Sequence, residues 1–389
     1  MPVGGPLHVF LVAGEPSGDA LGAKLIRALR QRRWNLQISG VGGEAMAGEG
    51  LHSLFPMADI AVMGFVPVLK RLPTLIDRIR RTQRAVIEAR PDVLVIIDSP
   101  DFTHRVARKV RAMRPDLPIL NYVSPTVWAW RPGRAARMRA YIDHVLAVLP
   151  FEPEAHQRLG GPACSYVGHP LIERFNELRP RPEDALQREF GRNVLILPGS
   201  RLSEVSRLMP VFGEAVARVA AEVPKAAFFL PAVAHVADAV RSALRDWPVK
   251  PEIVIGEQAK WMAFRRARAA LAASGTVTLE LGLAQVPMVT AYKVSAIEKQ
   301  IIRALVTVST PILPSLILGE PVVPELLQEQ ATGAALAEAL IPLVTGGEAR
   351  SAQLAAFDRL DAAMQVTGGN PSAAAAEIVL YYGENGRRV

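Results

Sequence analysis

An aspartate stands directly after a continuous apolar run, Val93–Ile97, in the first half of the chain. A run of this kind predicts a strand that is buried on both faces of a parallel sheet. Asp98 then lies at the carboxyl end of the strand, where open α/β sheets bind their ligands. A carboxylate there is a candidate general base, since it can accept the proton of a reacting hydroxyl group. The alternative is a helix cap, the function that we favour for Asp101.

In the second half, the loop Pro198-Gly199-Ser200-Arg201 joins a predicted strand to a predicted helix. Gly199 allows a ligand to approach the backbone closely, and Ser200 offers a hydroxyl group. Arg201 offers a planar, permanently charged fork that matches phosphate oxygens. The alternative is an ordinary turn with an arginine on its surface, and the loop alone favours neither.

A second loop with anion-binding composition is Ser274-Gly275-Thr276, which precedes another predicted helix. Backbone N–H groups and the helix dipole at such a position favour a diphosphate. Glu280 lies one turn into the helix, within reach of a ribose diol. The alternative is an N-cap followed by a solvated glutamate. Two such loops in one half of the chain favour a nucleoside diphosphate over either alternative.

The segment 65–86 combines an apolar side with a basic side. This pattern is typical of a helix that lies on an anionic membrane surface. The candidate membrane contacts are Val66, Val68, Leu69, Leu72, Arg78 and Arg81. The alternative is a helix that packs on the sheet with its charged side in water, and the pattern alone favours it.

The segment 122–131 (YVSPTVWAWR) is dense in aromatic and hydrogen-bonding side chains. Such a set suits a sugar or a lipid. The alternative, a packed corner of a domain with turns imposed by proline, is at least as well supported.

The sequence lacks the motifs that are typical of several classes of site. The single Cys and the seven His residues form no zinc-ligand spacing, so we predict no metal site. Neither loop that opens a half, 14–19 or 198–201, is a G-x-G-x-x-G fingerprint or a Walker loop, which weakens the case for NAD and ATP. There is no G-x-S-x-G elbow, which argues against a serine hydrolase.

These loops need a scaffold, and alternating strand and helix patterns supply one in each half. The predicted strands are 8–13, 36–41, 93–97, 119–123 and 145–149, then 194–197, 226–231, 253–255, 269–272 and 287–292. Continuous apolar runs alternating with helices predict an α/β fold with two doubly wound parallel-sheet domains. A Pro-rich stretch, 168–184, is the expected linker. Two facing domains would bring the loops to one cleft.

Composition and charge indicate the kind of partner and the cellular compartment of the protein. Of the net charge of +8, all lies in residues 1–180, which hold 24 Lys and Arg against 16 Asp and Glu. This asymmetry indicates an anionic partner such as nucleic acid, a phosphorylated ligand or an acidic membrane; the alternative is free use of arginine on a solvated surface. One cysteine, Cys164, fits a reducing compartment. The N-terminus lacks the pattern of a signal peptide, and the uncharged run 304–319 is short and holds two prolines. We expect a soluble or membrane-peripheral, cytoplasmic protein.

Together these stretches resemble one family, the lipid-A-disaccharide synthases, which are inverting glycosyltransferases of the GT-B fold. The matching segments are 11–19 (LVAGEPSGD), 61–69 (AVMGFVPVL), 91–102 (PDVLVIIDSPDF), 122–134 (YVSPTVWAWRPGR), 149–154 (LPFEPE), 166–171 (YVGHPL), 197–205 (LPGSRLSEV), 273–280 (ASGTVTLE) and 324–329 (PELLQE). One departure is Ser315, where the family usually carries asparagine after the proline of a P-N-[LI]-[LI] segment.

The resemblance implies a GT-B enzyme whose two domains face a cleft, with UDP-2,3-diacylglucosamine as donor and 2,3-diacylglucosamine 1-phosphate as acceptor. It implies no metal, no cofactor and no nucleic acid, and it shifts the interpretation of 65–86 toward the inner face of the inner membrane. By resemblance, Asp98 is the candidate base, and the UDP site comprises Gly199, Ser200, Arg201, Ser274, Gly275, Thr276 and Glu280. Glu15, Ser17, Gly18, Asp19 and Ser315 would line the cleft.

The expected domains are 1–175 for the acceptor and membrane, 176–350 for the UDP-sugar, and helices in 351–389 that pack back on the first domain. A homodimer stays open. Two other functions also stay open: an enzyme similar to UDP-N-acetylglucosamine 2-epimerase, and a non-catalytic protein that binds membranes or nucleic acid. Dependence on acylated substrates would separate the first of these from the transferase.

Overall fold

The computed structural model describes residues 5–61, 71–295, 298–300, 308, 310–366 and 369–387. Contacts between residues divide the chain into two units. The first unit comprises residues 1–172 and 365–389, and the second comprises residues 173–364.

The first unit contains a parallel six-stranded sheet in the order β2-β1-β3-β4-β5-β6. Its strands are β1 (Leu7–Ala13), β2 (Leu36–Val41), β3 (Val93–Ile97), β4 (Ile119–Tyr122), β5 (His144–Ala147) and β6 (Ala163–Tyr166). Every residue of β1 and β3 is buried, as continuous apolar runs predict for strands covered on both faces.

The helices of this unit cover both faces of the sheet. They are α1 (Pro16–Arg32), α2 (Glu44–Gly48), α3 (Leu72–Ala89), α4 (Pro100–Met113), α5 (Gly133–Met138), α6 (Glu152–Arg158) and the C-terminal α16 (Pro371–Asn385). The last of these, α16, packs against α1, β1 and β3. The end of the chain therefore completes the first unit.

The second unit contains another parallel six-stranded sheet, in the order β12-β11-β10-β7-β8-β9. Its strands are β7 (Asn193–Leu197), β8 (Ala227–Ala232), β9 (Glu252–Ile255), β10 (Ala269–Ala273), β11 (Met288–Tyr292) and β12 (Glu325–Leu327). Its helices are α7 (Phe175–Leu178), α8 (Pro182–Phe190), α9 (Leu202–Glu222), α10 (Ala237–Ala243), α11 (Glu257–Arg266), α12 (Val277–Leu283), α13 (Leu313–Leu318), α14 (Gly333–Thr345) and α15 (Glu348–Met364).

Strand order determines where each sheet can bind a ligand. The chain winds outward from a central pair in both sheets, which places a topological switch point between β1 and β3 and another between β7 and β10. Connections on the two sides of a switch point leave in opposite directions and open a crevice beyond the carboxyl ends of the strands. The loops predicted to do chemistry follow these four strands.

Two parts of the organisation differ from the sequence-based expectation. The short strands β6 and β12 were not predicted, because edge strands of three or four residues carry little periodicity. The stretch 168–184 is not an open linker: α8 begins at Pro182, and Asp184 is buried between Arg265 (3.0 Å) and Arg266 (2.9 Å). Proline at the first position of a helix starts it and does not break it.

The last two helices belong to different units, whereas the sequence predicted one C-terminal segment, 351–389. Helix α15 packs against α12 and α13 in the second unit, whereas α16 packs in the first. Within the ranges that the structure describes, none of the helices combines the length and apolar character that crossing a bilayer requires.

Candidate active site

Asp98 lies where the sequence places it, one residue after β3 and beside the β1–β3 switch point. Its φ angle is +52°, and Ser99 follows with φ +44°. Two consecutive left-handed residues turn the chain sharply away from the strand, a conformation that Asp tolerates better than most residues. The carboxylate accepts hydrogen bonds from the Ser17 hydroxyl (3.1 Å) and from the Ser99 N–H (2.8 Å). These bonds hold its two oxygens in one orientation.

A second carboxylate lies beside Asp98. Glu15 follows β1 and occupies the N-cap of α1, where it is half-buried. Burial raises the pKa of Glu15, the charge of Asp98 raises it further, and a hydrogen bond with Ser99 acts in the opposite direction. Gly14 lets these segments approach, because a Cβ atom there would lie 2.6 Å from Ser99 Oγ. The structure therefore brings Glu15, Ser17 and Asp98 together, and buried Gly18 adjoins them.

Asp19 lies inside the fold and does not line an open surface, in contrast to the expectation. Its side chain is 5% exposed. The carboxylate accepts three backbone N–H groups at the start of α2, from Gly43 (2.7 Å), Ala45 (2.9 Å) and Met46 (3.1 Å). Asp19 thus caps a helix that is distant in sequence, a relation that no local pattern could reveal.

Replacement of Asp19 by alanine should lower the free energy of unfolding by about 2–3 kcal/mol, because three N–H groups lose their charged acceptor. Urea unfolding followed by circular dichroism measures this change. Asp101→Ala is the control: Ser99 and not Asp101 is the N-cap of α4, and the Asp101 carboxylate is exposed, with Arg134 3.6 Å away. If Asp19→Ala keeps its stability but loses turnover, the capping role is wrong and Asp19 belongs to the acceptor site as first predicted.

The predicted UDP residues line a single cavity of about 640 Å³ at the switch point between β7 and β10. We call it the β7–β10 cavity. This volume falls within the usual range of small-molecule sites. The predicted residues in its lining are Gly199, Ser200, Arg201, Ser274, Gly275, Thr276 and Glu280. The two loops meet because β7 and β10 are neighbours in the sheet.

Arg201 has a partner that the sequence analysis did not consider. Its side chain is 73% exposed, and Nη1 lies 3.0 Å from Glu204 Oε1. The other oxygen of Glu204 accepts the N–H groups of Ser200 (3.1 Å) and Arg201 (3.3 Å). The i, i+3 spacing of Arg201 and Glu204 is the signal that predicts this contact. Glu204 thereby stabilises both the loop and the start of α9.

Glu280 is not solvated, because Lys260 on α11 pairs with it: Nζ lies 2.5 Å from Oε2. Ser274 donates its hydroxyl proton to Glu325 on β12 (3.1 Å), so this hydroxyl faces a protein carboxylate. Burial raises the pKa of Glu325. Lys260 and Glu325 come from strands or helices distant in sequence, and no local signal indicates them.

Ser315 is also placed differently from the expectation. Its side chain is 4% exposed, and its hydroxyl accepts the N–H of Val322 (3.3 Å). Its carbonyl accepts the N–H of Glu320 (3.2 Å). Ser315 therefore closes the turn after α13, which a short polar side chain does through local hydrogen bonds.

The predicted membrane segment is only partly described, since Val66, Val68 and Leu69 lie outside the described residues. Helix α3 buries Ile79 and Val86 against the sheet, as the packing alternative predicts. Its first two turns leave Leu72 and Ile76 each 40% exposed.

The two arginines predicted to contact the membrane both lie over the ring of Phe55, with Arg78 at 5.2 Å from its centroid, but they differ in exposure and in ion pairs. Arg78 is held by Asp59 (2.9 Å) and Asp77 (2.7 Å), so its charge is already paired within the protein. Arg81 lies over the ring of Phe55, 6.0 Å from its centroid, with its side chain at the surface. Leu72 and Ile76 therefore suit membrane contact, and exposed Arg80 lies one turn further along the same side, whereas Arg81 lies about 140° around the helix from Ile76.

The aromatic segment forms a packed corner, which was the alternative interpretation. The Trp128 ring N–H donates to the buried carboxylate of Glu152 (3.1 Å), which also accepts two backbone N–H groups. Burial raises the pKa of Glu152 to about 7, and these hydrogen bonds act in the opposite direction. Ser124 Oγ and His156 Nε2, both buried, lie 2.8 Å apart.

A larger cavity, of about 1210 Å³, lies along α9 and α10 of the second unit. Met209, Trp247 and Pro248 line it together with Glu214 and Arg218. None of the predicted site residues belongs to its lining. Across the described ranges, no three His, Cys, Asp or Glu side chains lie together in an arrangement that could bind a metal ion.

Comparison with known families decides between the functions left open. A family model described as lipid-A-disaccharide synthetase matches residues 9–379, almost the whole chain. The chain belongs to the lipid-A-disaccharide synthase family. It is accordingly a glycosyltransferase, and neither an epimerase-like enzyme nor a non-catalytic binding protein is favoured.

Relatives in this family are similar over nearly their full length. A lipid-A-disaccharide synthase of Rhodopseudomonas palustris (strain BisB18) is 54% identical over 374 residues, which cover 96% of this chain and 94% of that protein. Another from Bradyrhizobium diazoefficiens is 53% identical over 382 residues, with 98% and 97% covered.

Solved structures support the fold. A UDP-GlcNAc 2-epimerase from Neisseria meningitidis bound to UDP-GlcNAc superposes with a TM-score of 0.63 at 11% identity, over 96% of this chain and 99% of that chain. The glycotransferase of kitacinnamycin gives a TM-score of 0.61 at 17% identity, over 97% and 99%. At such identities the likeness shows the fold alone, and it confirms two doubly wound domains of the GT-B class.

Proposed function

We propose that this chain transfers 2,3-diacylglucosamine from its UDP derivative to the 6-hydroxyl of 2,3-diacylglucosamine 1-phosphate. The products are the β-1,6-linked disaccharide 1-phosphate and UDP. One observation supports binding of the UDP-sugar donor. Two loops that are 75 residues apart in sequence (274 − 199 = 75) line the same β7–β10 cavity, and their residues have phosphate-binding and ribose-binding chemistry. The family supports the choice of acylated sugars, because its members are named for the lipid A disaccharide.

The reaction is a substitution at the anomeric carbon with inversion. The acceptor oxygen forms a bond to that carbon, and the bond to the UDP oxygen breaks with both electrons leaving on UDP. The proton of the acceptor hydroxyl passes to a base, for which we propose the Asp98 carboxylate. Ser17 and Ser99 orient this carboxylate, and Glu15 and Gly18 border it. A base held in place needs no reorientation when the proton moves.

Departure of UDP places negative charge on the diphosphate, and Arg201 is the proposed stabiliser. Its contact with Glu204 is an ion pair in which the arginine side chain is 73% exposed, so water screens the pair and it contributes about 1 kcal/mol. Turning the guanidinium toward a diphosphate therefore costs little. The N–H groups of Gly275 and Thr276 would add neutral donors, and Glu280 would accept the ribose hydroxyls.

The deciding experiment incubates the protein with UDP-2,3-diacylglucosamine and the acylated sugar 1-phosphate in mixed micelles. We expect mass spectrometry to detect the disaccharide 1-phosphate and one equivalent of UDP. UDP-GlcNAc without acyl chains serves as the control donor. Epimerised UDP-sugar, or release of UDP without disaccharide, would contradict the proposal.

We further propose that the first unit binds the inner face of the inner membrane through α3. Both substrates carry acyl chains, which a bilayer holds. Leu72 and Ile76 are spaced i, i+4 and exposed on one side of the helix, and exposed Arg80, a further i, i+4 step along that side, supplies charge for anionic headgroups. Such a surface binds by apolar burial together with electrostatic attraction.

The double variant Leu72→Ser, Ile76→Ser should bind vesicles of phosphatidylethanolamine and phosphatidylglycerol about tenfold more weakly, because it removes apolar surface. Sedimentation with vesicles at high salt measures this, since salt screens only the charge contribution. Its KM for acylated substrate in micelles should rise, with UDP affinity unchanged.

The matched control is Leu186→Ser, Phe190→Ser, an exposed i, i+4 apolar pair on α8 of the second unit. This control should bind vesicles as the parent does. A thermal melt of each variant checks folding. If Leu72→Ser, Ile76→Ser melts normally and binds vesicles like the parent, membrane contact through α3 is wrong.

A further inference from the structure

We propose that Lys260 is a positioning residue for the ribose of the donor: its ammonium group orients the Glu280 carboxylate to accept the ribose hydroxyls. This inference rests on the proposed function, namely that the β7–β10 cavity binds UDP. Neither the loop motifs nor the family resemblance points to Lys260, which lies on a different helix from the loop it serves.

The geometry joins two helices at one wall of the cavity. Lys260 lies on α11 and Glu280 on α12, and both line the β7–β10 cavity. Their side chains are 28% and 21% exposed, so the pair is sheltered yet open to a ligand. With Nζ 2.5 Å from Oε2, the carboxylate cannot turn freely about its last bond without losing the contact.

The ammonium group is itself held in place by aromatic rings. Nζ lies 4.3 Å from the ring centroid of Trp261 and 5.3 Å from that of Phe264, and both rings are buried. A cation over an aromatic face is attracted by the negative face of the ring. Lys260 is therefore a fixed support for Glu280 and not a flexible surface cation.

The arrangement leaves room for the nucleotide. A carboxylate has two oxygens with about four acceptor positions, and Lys260 uses one of them on Oε2. A ribose diol offers two donors at neighbouring carbons, which an oriented carboxylate can accept together. Dinucleotide-binding sheets also use an acidic residue to bind a ribose hydroxyl. The position of Glu280 beside the β7–β10 switch point suits the same contact.

The test measures the affinity of UDP and of 2′,3′-dideoxy-UDP by calorimetry. The parent protein should prefer UDP by about tenfold or more, since a hydrogen bond to a charged group contributes that much. Lys260→Met should bind UDP about tenfold more weakly but bind the dideoxy compound within twofold of the parent, so the preference is lost. Lys260→Arg should keep part of the preference because it keeps the cation.

The matched control is Lys299→Met. Lys299 also pairs with a glutamate, Glu329, at 2.6 Å and has a side chain 29% exposed, but it does not line the cavity. This variant should keep the full preference for UDP. In turnover, Lys260→Met should raise KM for the donor more than it lowers kcat, which a loss of folding would not reproduce.

The outcomes separate the two proposals. If the parent does not bind UDP, the proposed function fails and this inference falls with it. If the parent prefers UDP but Lys260→Met weakens UDP and the dideoxy compound by the same factor, Lys260 contacts the phosphates or the base. That result, or an unchanged preference in Lys260→Met, overturns the positioning role while leaving the proposed function intact.

Discussion

Replacement of Asp98 by asparagine should reduce turnover by roughly 100- to 10,000-fold, the usual contribution of a general base. The substitution is mild for the fold. Asparagine tolerates the left-handed conformation at this position, where φ is +52°. The Ser17 hydroxyl can reverse its hydrogen bond to meet the new amide, since a hydroxyl both donates and accepts. Disaccharide formation at saturating substrate measures the change.

The matched control for Asp98→Asn is Asp101→Asn, which changes an exposed carboxylate in the same turn. It should keep near-normal turnover. Both variants should bind UDP as the parent does, because the donor residues belong to the second unit. A well-folded Asp98→Asn protein with nearly normal kcat would exclude Asp98 as the base.

Replacement of Arg201 by alanine should weaken UDP binding by about 1.5–3 kcal/mol, or roughly 10- to 150-fold, the range for a hydrogen bond to a charged group. Arg201→Lys should restore only part of the affinity, because lysine lacks the planar fork. Stability should change little, since the Arg201 side chain is mostly exposed and Glu204 keeps two backbone N–H groups. Calorimetry with UDP measures the effect.

Arg241→Ala is the matched control for Arg201→Ala. Arg241 also pairs with an acidic residue three positions away, Asp238, at the surface of the same unit. It does not line the β7–β10 cavity. UDP affinity should therefore be unchanged in Arg241→Ala, and equal affinity in Arg201→Ala would rule out its contact with the diphosphate.

Much of the fold was predictable because it depends on local pattern. The apolar runs of β1 and β3 predict strands buried on both faces, and the observed bounds of β2 and β3 equal the predicted ones. Alternation of such runs with helices leaves few architectures other than a doubly wound sheet. The elements that sequence reasoning missed are short or at sheet edges, as with β6 and β12, or start with a misleading signal, as Pro182 does for α8.

In the candidate site, too, local features were predictable from the sequence and long-range contacts were not. Asp98, Arg201 and Glu280 were identified from their residue type and from the loops that follow strands. Their surroundings were not, because hydrogen-bond partners come from segments far apart in the chain. Lys260 meets Glu280 across two helices, and Asp19 meets the start of α2.

The sequence by itself determined the residue types, the strand runs and the loops at strand ends, and the family resemblance added the reaction. Only the tertiary structure decided which loops share a cavity, because the order β10-β7 in the sheet makes neighbours of segments distant in the chain. It also decided that Asp19 and Ser315 are buried while Arg201 is exposed. Burial is a property of how elements pack, and a polar residue is buried only where that packing supplies its hydrogen-bond partners.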